Sequence, residues 1–165
     1  MTDIQPELWI ERVAAAVTFY EAAFGATVLH RVGDGDEIVA QLAVGDAAFW
    51  VSSGGPDGPR FSPEAIGGAT GRTLLVVDDP DVMFAQAVAA GATPTSEMAD
   101  EHGWRLGRII DPFGHEWEIG KPVHPWPPTL PFEAGRWSSW ARSPRRTRRS
   151  FRPPATCSAR ACSTA

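Results

Sequence analysis

With 165 residues, 43% of them hydrophobic and 21% charged, the chain is the size of one domain and has the material for a sizeable core. It has no eighteen-residue apolar run and no basic-then-apolar start, so neither a membrane-spanning helix nor a secretory signal is expected. The net charge of −5 is unevenly divided: residues 1–121 carry 19 acidic against 7 basic residues, a net −12, while residues 122–165 carry eight Arg and one acid, a net +7.

An acidic body repels phosphate backbones and attracts cations, so nucleic-acid binding is not expected of it, except through the tail. Both cysteines, Cys157 and Cys162, fall in the last nine residues, which excludes a disulfide scaffold or cysteine-based zinc site elsewhere and makes the cytoplasm the expected compartment.

Ile4 to Ile10 reads as a short strand, with Pro6, Leu8 and Ile10 on one side and Gln5, Glu7 and Trp9 on the other. Val13, Val17, Phe19, Tyr20 and Phe24 recur at helical spacing, and Gly25 suits the helix end. Thr27 to Val32 is a strand, Gly33-Asp34-Gly35-Asp36 a turn, and Ile38, Ala40, Leu42 and Val44 alternate as the next strand. Gly45-Asp46 turns the chain into a strand from Ala47 to Ser53. Residues 1–53 thus form a β-α-β-β-β module, and the Gly-, Ser- and Pro-rich stretch after it, residues 54–71, reads as a linker.

The pattern then restarts. Arg72 to Val77 is an apolar strand, and Asp78-Asp79-Pro80-Asp81 starts a helix with acid at the cap and Pro in the first turn. Val82, Ala85, Val88 and Ala89 are the expected buried stripe, closed by Gly91. Strands follow at Thr93 to Glu97, Trp104 to Ile110 and His115 to Gly120, the last two joined by the turn Asp111-Pro112-Phe113-Gly114. Gly25-Ala26-Thr27 and Gly91-Ala92-Thr93 echo each other at an offset of 66, marking residues 72–122 as a second copy of the module. Residues 123–165 are rich in Pro and Arg and lack apolar periodicity; disorder, a basic arm for an anionic partner, and an out-of-frame product of GC-rich DNA all give this composition.

Three segments carry a family resemblance. Phe19-Tyr20-Glu21-Ala22-Ala23-Phe24-Gly25-Ala26, Val77-Asp78-Asp79-Pro80-Asp81 and Asp111-Pro112-Phe113-Gly114-His115-Glu116-Trp117-Glu118-Ile119 resemble, in this order, the vicinal-oxygen-chelate superfamily of glyoxalases, bleomycin-resistance proteins, fosfomycin-resistance enzymes and dioxygenases. The likeness spans roughly residues 4 to 122 and is nearest to the PhnB-like branch, which has no settled activity. It implies an α+β fold of paired β-α-β-β-β modules forming an eight-stranded cleft, often in a homodimer.

Catalytic members of that superfamily hold one divalent metal (Zn, Ni, Fe or Mn) with one residue from each of four strands. By the resemblance these positions fall on Gln5, on Trp50 or an adjacent residue, on Arg72 and on Glu118. Arg72 is a permanent cation and Trp50 has no lone pair to give, so no metal or other cofactor is expected. Arg72 and Glu118 are instead expected to form a salt bridge in the metal's place, as a ligand anchor or as a structural pair. His115 reads as an exposed turn residue, His102 as a loop residue and His30 as packing.

Strand parity sends Trp9, Trp50 and Trp104 to the cleft together with Glu7 and Glu116, and Trp117 to the core. An acidic, Trp-lined groove suits a planar cationic guest. The expected function is therefore binding, or sequestration, of a cationic aromatic small molecule, with Gln5, Glu7, Trp9, Trp50, Arg72, Trp104 and Glu118 as binding residues and Glu118 as the best catalytic candidate. The alternative is a lyase, isomerase or dioxygenase of the same superfamily, using a metal or a metal-free acid–base pair such as Glu118 with His102.

Overall fold

A computed structural model describes residues 2–35, 37–53 and 60–125. The expectations for the tail, including Cys157 and Cys162, and for the glycines of residues 54–59 lie outside the described residues.

The first module runs β1 (Glu7–Trp9), α1 (Val13–Phe24), β2 (Thr27–Val32), β3 (Val39–Val44) and β4 (Ala47–Ser52). Its sheet has the order β1-β4-β3-β2, with β1 parallel to β4 and the other pairs antiparallel. A short helix α2 (Pro63–Ile66) follows, and then the second module: β5 (Arg72–Val76), α3 (Pro80–Ala89), β6 (Thr93–Glu101), β7 (Trp104–Ile110) and β8 (Glu116–Pro122). Its sheet, β5-β8-β7-β6, repeats the first strand for strand, with β5 parallel to β8. The α+β class and the doubled β-α-β-β-β order agree with the sequence reading.

Helix α1 forms because Val13, Ala16, Val17, Tyr20, Ala23 and Phe24 recur every three or four residues and are all buried. Gly25 ends it in the left-handed conformation, φ +64°, which costs glycine nothing. Helix α3 is capped by Asp79, whose Oδ1 accepts from the Val82 amide at 3.2 Å, with Pro80 in the first turn.

Its buried stripe is a correction to the sequence reading. Pro80, Phe84 and Ala87 are buried, with Met83 and Val88 packed against the core, whereas Val82 is 60% exposed and Ala85 and Ala89 face solvent. Phe84 is the largest apolar side chain in the helix, and turning it inward carries Val82 outward. Helix α2 is also an addition to the linker reading: Ser62 caps it, its Oγ accepting from the Ala65 amide at 3.1 Å. Strand β6 runs on to Glu101, beyond the expected end at Glu97.

The two modules share one core. Leu8, Ala40, Leu42, Phe49 and Val51 of the first sheet, Ile10 just after β1, and Leu75, Ile109, Trp117 and Ile119 of the second sheet join the helices in it. Tyr20 sits at the junction, with its ring 5.2 Å from Phe49 and 5.6 Å from Trp117. Each sheet therefore spends alternate side chains on this core and presents the others on its opposite face.

Candidate functional site

The opposite face of the first sheet gathers a polar cluster around Trp50. The β3–β4 hairpin places Gln41 opposite Trp50, and the parallel β1–β4 pair places Glu7 beside it. Gln5 Oε1 accepts from both Gln41 Nε2 at 2.8 Å and Trp50 Nε1 at 2.9 Å, while Gln5 Nε2 donates to Asp3. His30 meets Trp50 edge-on, with 6.2 Å between ring centroids. Two expected site residues, Gln5 and Trp50, are thus joined directly. Gln41 was missed, although counting outward from the Gly45-Asp46 turn pairs it with Trp50.

On the second sheet Glu118 lies between two arginines. Arg108 Nε donates to Glu118 Oε1 at 2.9 Å, and Arg72 Nε lies 3.6 Å from Oε2. Arg72 also reaches Glu116 at 3.7 Å, and Arg108 reaches Glu101 at 3.9 Å. The Glu118 side chain is only 12% exposed, so this carboxylate is largely withdrawn from water and compensated by guanidinium groups. The structure brings Arg72 and Glu118 together as the sequence reading anticipated. Arg108 went unseen; counting back from the Asp111–Gly114 turn, which pairs Ile110 with Glu116, puts Arg108 opposite Glu118.

Trp104 begins β7, in register with Glu101 and Pro122, so it lies on the second sheet, while Trp9 and Trp50 lie on the first. Trp117 is buried, as parity required.

Edge strands β1 and β5 border a crevice of about 290 Å³, lined in part by Glu7, Trp9, Phe61, Ile66, Arg72 and Glu116. Helix α2 closes one side. It is tied down by Arg12, which donates to Glu64 at 2.7 Å and to the Pro112 carbonyl at 3.0 Å, and by Ser62, which donates to Glu11. At the margin of the crevice the Arg60 guanidinium lies over the Trp9 ring, 4.8 Å from its centroid. Ser52 Oγ donates to Glu7 at 3.0 Å.

His115 differs from expectation. It is half-buried, and its Nε2 lies 3.1 Å from the Trp9 carbonyl oxygen, because the turn before β8 packs against the end of β1. His102 occupies the β6–β7 hairpin turn with φ +51°.

The turn is held from beneath by Asp111. Its Oδ1 accepts from the amides of Phe113 and His115, both at 2.9 Å, and its Oδ2 accepts from Tyr20 at 2.6 Å and Trp117 Nε1 at 2.9 Å. Burial, and then the adjacent Asp111 carboxylate, push the Tyr20 hydroxyl well above its ordinary pKa of 10.0.

The four positions implied for a metal do not fit one. Gln5 Oε1 already accepts two hydrogen bonds, Trp50 and Arg72 offer no lone pair, and Glu118 is engaged by two cations. Among the described residues no group of three or more His, Cys, Asp or Glu is placed to hold an ion. No helix among them is long and apolar enough to cross a membrane.

Comparison with known proteins agrees with this architecture. An uncharacterized protein of Mycobacterium tuberculosis, Rv0887c, is 36% identical over 126 residues, covering 73% of this chain and 74% of its own. The crystal structure of the Arabidopsis thaliana AT5G48480 product is similar at 29% identity and TM-score 0.58, covering 73% of this chain and 99% of its own. The structure of TnmS3, an antibiotic-binding protein from a Streptomyces species, is 20% identical with TM-score 0.58, covering 74% and 98%, and shares the fold. A family model described as the Glyoxalase/Bleomycin resistance protein/Dioxygenase superfamily matches residues 5–119, and the chain belongs to that family.

Proposed function

We propose that this protein binds a small cationic aromatic compound, as a sequestering protein would, and that it does so without a metal centre. The observation that carries the reading is the state of Glu118. The carboxylate that would complete a metal site is hydrogen-bonded to Arg108 and paired with Arg72, and a divalent ion would have to displace both guanidinium groups. At about 4 Å and a surface-like dielectric, each arginine repels such an ion by several kcal/mol per unit charge. The strongly acidic body and the tryptophans beside the open sheet faces favour a planar cation. A protein of the same fold, the Streptomyces TnmS3, binds an antibiotic, which supports a binding role.

The reading includes a homodimer. Leu74 and Val76, 44% and 54% exposed, and Val32, 49% exposed, are apolar strand residues that a second copy would cover. It also keeps the PhnB-like branch and a cytoplasmic location, which the motifs and composition raised.

Equilibrium titration with acridine and phenanthridinium dyes, read by tryptophan fluorescence and calorimetry, tests the binding; metal analysis of the purified protein tests the absence of a metal centre. Saturable binding of cationic dyes over neutral and anionic analogues is expected. Failure of every cationic dye to bind overturns the reading. So does about one Zn, Ni, Fe or Mn per chain that disappears in Glu118→Ala, which would restore the enzyme alternative.

A further inference from the structure

At the margin of the crevice beside β1, the Trp9 ring already carries a planar cation that belongs to the chain itself. Arg60 precedes helix α2, is exposed, and places its guanidinium over the indole of Trp9. The ring is half-buried and anchored by its strand, and Phe61 and Ile66, 62% and 49% exposed, stand as apolar walls with nothing packed over most of their surface. Glu7 is two residues from Trp9 on the same side of the strand. Among the described residues it accepts only the Ser52 hydroxyl, and none of their cations lies within ion-pair distance of it.

Arg60 therefore makes one half of a two-part recognition. It satisfies the indole face, while the neighbouring carboxylate has no cation among the described residues. Glu116, the other acid of the crevice, is differently placed, because Arg72 compensates it at 3.7 Å.

Resting on the function proposed above, we infer that the Trp9 crevice is the site for an arylamidinium or arylguanidinium group, and that Arg60 is an internal competitor which the ligand displaces. A flat amidinium can lie on Trp9 as Arg60 does, direct its N–H groups to Glu7, and bury its aromatic body against Phe61 and Ile66. The crevice volume of about 290 Å³ suits a single-ring ligand. Displacing Arg60 costs little, since its side chain is exposed and an exposed cation–π contact is weak.

Calorimetric titration of the full-length protein with benzamidine, benzamide and benzoate tests the inference. Benzamidine is expected to bind more tightly than its uncharged isostere benzamide, and benzoate not at all. Arg60→Ala is expected to tighten benzamidine by about two- to fivefold, the gain from removing one exposed cation–π competitor. Glu7→Gln is expected to narrow the preference for benzamidine over benzamide, and Trp9→Leu to abolish it; an unchanged melting temperature shows that each variant is folded.

If Arg60→Ala leaves benzamidine affinity unchanged or weakens it, Arg60 is no competitor and the inference fails. Should wild type and Arg60→Ala both bind the larger cationic dyes but not benzamidine, this site is wrong while the broader binding function stands. If neither protein binds any cation, both fall.

Discussion

The hydroxyl of Tyr20 donates to Asp111 Oδ2 across 2.6 Å in the buried centre of the protein, joining helix α1 of the first module to the turn before β8 of the second. That turn leads into His115 and Glu116 and sets the register that places Glu118 opposite Arg108. One buried bond thus links the core to the charged face of the second sheet. Asp111→Ala removes four hydrogen bonds and leaves the Tyr20 hydroxyl and the Trp117 N–H buried without an acceptor. A loss of about 3–5 kcal/mol in urea unfolding is expected, against about 1–2 kcal/mol for Tyr20→Phe, which still leaves Asp111 three donors. Equal costs for the two would show that the network is not centred on Asp111.

Burial of the same hydroxyl, with the Asp111 carboxylate beside it, makes the protein sensitive to alkali. Tyr20 is the chain's one tyrosine, so tyrosinate absorbance reports it alone. Because its folded pKa is raised, the folded state holds the proton at pH values where the unfolded state has lost it. Its contribution is complete below the unfolded value near 10 and is lost as pH rises through the folded value. The tyrosinate signal should appear together with unfolding, at a pH above that of free tyrosine. A normal titration of Tyr20 in protein that circular dichroism shows to be folded would refute this account.

Helix α3 can lie close to its sheet only because β7 has glycine at position 107. A Cβ there would run into Met98 Sδ and would meet the Phe84 ring at 2.7 Å. Met98 can move, but the buried ring cannot without shifting the helix. Gly107→Ala should cost about 1–3 kcal/mol, and Phe84→Leu in the same chain should cost less than the sum of the two single changes. Strict additivity would show that the two positions do not press on one another.

The orientation of α3 is open to a paired measurement. Phe84→Ala should destabilise by about 3 kcal/mol, while Val82→Ala, at an exposed position, should stay within about 0.5 kcal/mol of wild type. A reversal of these two would restore the stripe that periodicity suggested.

Glu118→Gln leaves Arg72 and Arg108 facing each other without their shared anion. A loss of about 1–2 kcal/mol in thermal or urea unfolding is expected, below the cost of a fully buried pair because both arginines retain water. Arg108→Gln should cost more than Arg72→Gln, since only Arg108 makes a hydrogen bond to the carboxylate. High salt should reduce both effects.

Much of this fold was legible along the chain because its signals are local. The apolar spacing of Val13 to Phe24, the caps Asp79 and Gly25, and the turns at Gly45-Asp46 and Asp111–Gly114 each depend on a few neighbouring residues, and together they marked two copies of one module. Even parity succeeded where strands are regular, sending Trp117 inward and Glu118 outward. The phase of α3 was not legible, since several apolar stripes fit its composition and only contact with β7 selects the one through Phe84. Counting from the turns pairs Gln41 with Trp50 and Arg108 with Glu118, but nothing along the chain shows that Gln5 reaches both Gln41 and Trp50 or that Arg60 covers Trp9. Those relationships join residues far apart in the chain or on neighbouring strands, and they exist only once register and packing bring the side chains within hydrogen-bonding distance.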